Sequence, residues 1–198
     1  MFKRMSVLVR RDDHSRETFS TRWERHAAPV SQLPGVRGYI QNHVEEAFGA
    51  ASPIRVDGFV ELLWDRPEDM AVAFASEAAR PMVEDEPGFL GHGSGYAVSS
   101  AELRFDAAAS KLIVAVVGDG DSVERELGLL NGIGLWLRDD VTGLIQKPGM
   151  APPQPVDAFF HLWLHSETAA REAAFRLNTL ADRGVSLGVY KVRTVQFV

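Results

Sequence analysis

The sequence predicts an α+β fold, with two tandem ferredoxin-like βαββαβ units packed sheet to sheet as a pseudo-two-fold α+β barrel. Three observations predict it. The segment "PIRVDGFVELLWD" from Pro53 repeats as "PQPVDAFFHLWLH" from Pro153, an offset of 100 residues that pairs Val56 with Val156, Asp57 with Asp157, Phe59 with Phe159 and Leu62 with Leu162. Each copy runs into an Ala-rich amphipathic segment. The length of 198 residues also suits two units of about 100 residues each.

In order, the first half reads as strand 3–10, helix 15–31, strand 36–44, strand 57–64, helix 67–85 and strand 95–105. Ser15 in "SRETF" has the chemistry of a helix N-cap, with Glu17 in the first turn. Pro-Gly at 34–35 punctuates the chain before the next strand. The second half reads as strand 111–117, helix 121–130, strand 133–145, strand 157–164, helix 166–182 and strand 185–198. Alternation and β-branched residues in "KLIVAVV" and "VSLGVYKVRTVQFV" mark its first and last strands. Gly184 stands where a helix C-cap belongs. A βαββαβ unit carries both helices on one sheet face and leaves the other apolar face to be covered. Two units in one chain can cover each other, giving domains at 1–107 and 108–198 joined near "DAAAS" at 106–110.

Composition narrows the function. Hydrophobic residues make up 45% and charged residues 24%, enough for a core and too few charges for disorder. A net charge of −6 with scattered basic residues argues against nucleic acid. The absence of cysteine excludes disulfides, thiolate metal sites and a cysteine nucleophile. No apolar run approaches a signal-peptide core or a membrane span, so a cytoplasmic protein is expected.

Candidate site residues come from three strands and a helix. Phe19, Trp23, His26 and Val30 fall on one helical face, which allows His26 to be either a core-edge histidine or an acid–base group at a pocket mouth. In the next strand Arg37, Tyr39, Gln41 and His43 share one face, while Gly38, Ile40 and Asn42 share the other. Glu61 is the one charge in the apolar strand "GFVELLW", where a carboxylate needs a partner or a raised pKa, and His161 occupies the matching position of "AFFHLWL". An acid and an imidazole at matched places, beside Phe59, Phe159 and Trp163, would line an aromatic pocket between the sheets. His92 with Glu84 or Asp85 lacks ligand spacing for a metal site, and "GDGDS" at 118–122 lacks the downstream spacing of a calcium loop.

The segments "KRMSVLVRR", "SRETFSTRWERHAAPV", "LPGVRGYIQNHV" and "DGFVELLWDRPEDMAVAFAS", with Asp85-Glu86 after them, resemble the EthD family of the dimeric α+β barrel superfamily over residues 1–105. The second half resembles a diverged copy. In "WERHAAP" the histidine stands one residue before the position that the family's Trp-x-x-x-His-x-Pro pattern gives it, leaving Ala27 there. The resemblance implies a cofactor-independent isomerase, dehydratase or decarboxylase acting on a small aromatic, polyketide or lactone-like compound. His26, Glu61 and His161 would serve as acid–base groups, and Tyr39, Gln41, Asn42 and His43 would contact substrate. The alternatives are a non-catalytic binder or oxygenase accessory protein, and a haem-binding barrel with an axial histidine. A single chain suffices for the barrel, and further dimerisation is left open.

Overall fold

In the computed structural model, which describes residues 1–49 and 52–198, eight antiparallel strands close into a barrel with the helices outside it. The first unit comprises β1 (Phe2–Arg10), α1 (Arg16–Arg25), α2 (Ala27–Ser31), β2 (Gly38–Phe48), β3 (Gly58–Trp64), α3 (Pro67–Ala75), α4 (Arg80–Asp85) and β4 (Leu90–Val98). The second comprises β5 (Ser110–Val117), α5 (Gly120–Leu127), β6 (Ile133–Ile145), β7 (Ala158–Leu164), α6 (Glu167–Asn178) and β8 (Ser186–Gln196). Strand order around the barrel is β1-β3-β2-β8-β5-β7-β6-β4. Each unit keeps its own four strands, and the β2–β8 and β4–β6 pairings join the units at both edges. Closure leaves no unpaired edge, which an open sheet of this length would have to protect.

The repeat is visible in the register. Met5 pairs with Glu61 and Ile113 with His161, while Asn42 faces Phe59 and Asp139 faces Phe159. The repeated Asp has one task in both copies: Asp57 accepts the Arg10 backbone N–H at 3.0 Å, and Asp157 accepts that of Gly118 at 2.6 Å. The strands β3 and β7 are buried on each face, as sequences apolar on both faces but for Glu61 and His161 require. Gly58 opens β3 because a Cβ there would lie 2.3 Å from the Trp23 ring of α1.

Several boundaries differ from expectation. The helix expected over 15–31 breaks at His26, which ends α1 in helical geometry (φ −62°, ψ −13°) before α2 begins. The helix expected over 67–85 is interrupted after Ala75, and Pro81 restarts it within α4. The fourth strand runs over Leu90–Val98 rather than 95–105. Its glycines suppressed the strand signal, yet a Cβ at Gly95 would crowd the Ile145 backbone at 2.8 Å, so they are the residues this strand needs. Residues 99–109 contain no helix or strand.

Three apolar clusters result. One fills the barrel, where Phe59 meets Phe159 and Tyr190 edge-on at ring distances of 6.2 and 5.3 Å, and Tyr96 meets Phe159 at 5.3 Å. The other two lie between each sheet and its own helices. The expected ligand space between the sheets is thus occupied by packed aromatic rings, because closing eight strands brings the inward side chains of both units into contact.

Candidate functional site

Glu61 and His161 meet inside the barrel, as their matched positions require. The Glu61 carboxylate takes Lys111 Nζ at 2.9 Å, Lys3 Nζ at 3.0 Å and the Asn42 amide at 2.9 Å. His161 places Nε2 3.0 Å from Asp139 and Nδ1 3.6 Å from Glu61. Lys3 bridges to Asp139 at 2.7 Å and donates to the Glu102 carbonyl at 2.9 Å. Lys3 and Lys111 occupy matching places in β1 and β5, opposite Leu63 and Trp163, so the cluster obeys the same pseudo-two-fold relation as the fold. Burial works against the Glu61 carboxylate, yet Lys111 and Lys3 hold it well below the usual range. Burial likewise pushes the His161 imidazole down. Trp163 stacks near His161 at 6.1 Å and carries Lys111 over its ring at 4.8 Å. The result is a sealed array of two lysines, two carboxylates and an imidazole.

The opposite face of the first sheet holds a cavity. Val60 and Leu62 line it, so Glu61 between them points the other way, into the barrel. By the same alternation Tyr39 lines the cavity while Asn42 faces Glu61. The chamber measures about 50 Å³ and is bounded by Trp23, His26, Tyr39, Phe89, Ser6 and Ser94 among others. A surface vestibule of about 280 Å³ shares Arg4, Phe74, Met82, Glu86 and Lys147 with it. Lys147 follows β6, so the second unit supplies one wall of the first unit's cavity and forms an ion pair there with Glu86.

His26 is the one sequence-predicted acid–base residue at this cavity. Its Nδ1 lies 2.8 Å from Asp85, and its ring packs on Phe89 at 4.9 Å. Nε2 has no hydrogen-bond partner among the described residues. Burial pushes the imidazole pKa down, against the pull of Asp85, so the ring is neutral at neutral pH. The break between α1 and α2 sets the direction of this side chain, and a count along one straight helix does not describe it.

The remaining predicted contacts separate. Gln41 and His43 face the helices beside Tyr39 but bond one another at 2.9 Å. Gln41 also donates to the Trp23 carbonyl at 2.9 Å and to the Tyr39 hydroxyl at 2.5 Å, and His43 Nδ1 meets Ser20 Oγ at 2.8 Å. Phe59 and Phe159 belong to the barrel core. His92 meets Ser94 at 3.2 Å, and among the described residues no group of three or more His, Asp or Glu side chains converges as a metal site.

Residues 11–93 match the sequence profile of the EthD domain. The match lies within the N-terminal unit. The whole chain is similar in fold to an anthrone oxidase-like protein, at 8% identity and a TM-score of 0.61 over 98% of this chain and 92% of that one. It is also similar to a candidate monooxygenase from Fusobacterium nucleatum subsp. nucleatum, at 6% identity and a TM-score of 0.54 over 98% and 91%. A chlorite dismutase variant from Candidatus Nitrospira defluvii aligns at 8% identity and a TM-score of 0.51 over 97% and 91%. At such identities the likeness concerns the fold. No curated protein sequence matches the chain. Among the described residues no helix is long and apolar enough to cross a membrane.

The cavity belongs to the EthD unit, and the corresponding face of the second unit is packed. The register places Leu112 where the EthD unit has Arg4, Val114 where it has Ser6, and Phe160 where it has Val60. All three are fully buried in the apolar cluster beneath α5 and α6. Sequence reading missed Arg4, Ser6, Glu86 and Lys147. Aligning "KRMSVLVR" with "KLIVAVVG" on their lysines exposes the first two, as polar side chains on one strand face whose counterparts are apolar. Lys147 has no such signal, because only closure of the barrel carries it to the other unit.

Proposed function

We propose that the chain is a cofactor-independent EthD-type enzyme of isomerase, dehydratase or decarboxylase class, acting on a small aromatic, polyketide or lactone-like compound. The observation that carries this reading is His26. It is a neutral imidazole oriented by Asp85 through Nδ1, at a cavity that the EthD unit has and its repeat lacks. A carboxylate on one ring nitrogen fixes the tautomer, which leaves the other nitrogen to accept a proton. His26 therefore takes a proton from the substrate at Nε2 and returns it to a neighbouring atom or leaving group. Asp85 steadies the imidazolium formed in between. The Tyr39 hydroxyl lies in the same wall, and burial raises its pKa, so it stays protonated.

Glu61 and His161 take no part in this chemistry: their contacts are with each other, Lys3, Lys111, Asn42 and Asp139, inside the barrel. Their proposed role is to order the barrel core. The chamber of about 50 Å³ has no room for haem, and a substrate larger than a few atoms extends from it into the vestibule of about 280 Å³.

The test is turnover of a panel of lactones and hydroxylated aromatic compounds by the wild type, His26→Asn and Asp85→Asn. A general base contributes about a hundredfold to ten-thousandfold, so His26→Asn should lose that factor in kcat/KM and Asp85→Asn a smaller one. The wild-type profile should fall only below the ordinary imidazole value of about 6.5, since protonation of His26 removes the base. Undiminished turnover by His26→Asn would sink the proposal. Ligand retention without turnover by the wild type would make the protein a binder.

A further inference from the structure

We propose that the cavity takes an anionic compound, its carboxylate or enolate held by Arg4 at the neck between chamber and vestibule. This deepens the proposed function and rests on the same cavity.

The argument begins with charge balance at the neck. Three charged side chains line both spaces: Arg4, Glu86 and Lys147. Glu86 is committed to Lys147 by a direct ion pair. Arg4 has no carboxylate within ion-pair distance among the described residues. Among the described residues its single side-chain hydrogen bond runs from Nε to Ser6 Oγ at 3.2 Å, which leaves the terminal guanidinium nitrogens without acceptors there. Two cations thus face one carboxylate, and Arg4, which feels the Glu86 charge, is the one left without an ion-pair partner of its own.

The guanidinium is also held in place. It lies over the Phe74 ring at 5.0 Å, and a Cβ on Gly95 would come within 3.2 Å of its Nη2, so the glycine makes room for it. A planar fork fixed on an aromatic face, with both terminal nitrogens free, matches the two oxygens of a carboxylate. Burial pushes the Arg4 pKa down to about 10, so the group remains a cation at neutral pH.

A half-buried cation without a partner is a cost to the fold. The second unit avoids it with Leu112 at the matching position, beneath its own helices. The fold therefore tolerates an apolar residue here, and the EthD unit keeps a charge facing a cavity. A bound anion supplies the missing partner. His26 and Tyr39 line the chamber, and Arg4 stands where it meets the vestibule, so an acid anchored there would keep its apolar body in the larger vestibule beside Phe74 and Met82 and direct its anionic end toward the imidazole.

The experiment is calorimetric titration of the full chain with 2-naphthoate and with its neutral counterpart 2-naphthamide, for the wild type, Arg4→Leu and Arg4→Gln. The wild type should bind naphthoate about tenfold or more tightly than naphthamide, and both variants should lose that preference. Arg4→Leu copies the repeat and so keeps the fold, and circular dichroism verifies both variants. Equal binding of the two probes, a preference that survives in both variants, or no naphthoate binding by the wild type overturns the proposal. The catalytic reading fails separately: if His26→Asn turns substrate over while the naphthoate preference persists, the base is lost and the anchor stands.

Discussion

Arg4 and Leu112 hold the same place in the two repeats, each opposite a leucine of the neighbouring strand, Leu62 and Leu162. One is an unpaired cation on a cavity wall and the other a fully buried part of an apolar cluster. The pair shows where the duplicated units parted: one sheet face kept space and charge, and the other was filled. Arg4→Leu should accordingly raise stability, by about 1 kcal/mol, because it removes a charge without an ion-pair partner of its own. Urea unfolding with an unchanged slope and a higher midpoint would show this. A clear fall in the midpoint would mean that Arg4 is structural.

Inside the barrel the expected sign is opposite. Glu61 is the only carboxylate within ion-pair distance of Lys111 among the described residues, and it also serves Lys3. Glu61→Gln should cost about 3–5 kcal/mol, because it leaves a buried ammonium without its partner. Combining it with Lys111→Met should recover part of that loss, with a coupling of about 1–3 kcal/mol in a double-mutant cycle. Additive losses would show that the two groups are not paired in solution.

Stability should also fall in mild acid. Burial, with Arg193 adding to it, pushes His43 down to about 4, whereas the unfolded chain titrates near 6.5. Between those values the unfolded state binds a proton that the native state refuses. The stabilisation is therefore complete above pH 6.5 and is lost as the pH falls toward 4, by about 2 kcal/mol at pH 5. His26 and His161, whose values are also lowered by burial, add in the same direction. Unfolding free energies of the wild type and His43→Gln at pH 7.5 and 5 check this: the variant should show the smaller difference.

Much of the fold was legible because strand and helix periods, turn residues and the repeat at Pro53 and Pro153 are local signals. The burial of Glu61 was legible too, since a single charge in a strand apolar on both faces has few other places to be. Its partners were not. Lys3 and Lys111 each stand next to the start of a strand and read as ordinary solvent-facing ends, and only the closed barrel turns them inward.

By itself the sequence determined the two βαββαβ units, the polar and apolar faces of each strand and the matched positions of Glu61 and His161. The tertiary structure decided which face meets which space. A strand pattern of period two separates two faces but does not label them as inside or outside the barrel. That label comes from how eight strands close, which put Glu61 and His161 in a sealed core and Tyr39 and His26 on a cavity. Closure also brought Lys147 from the second unit to Glu86 of the first, a contact between residues 61 positions apart that no local pattern encodes.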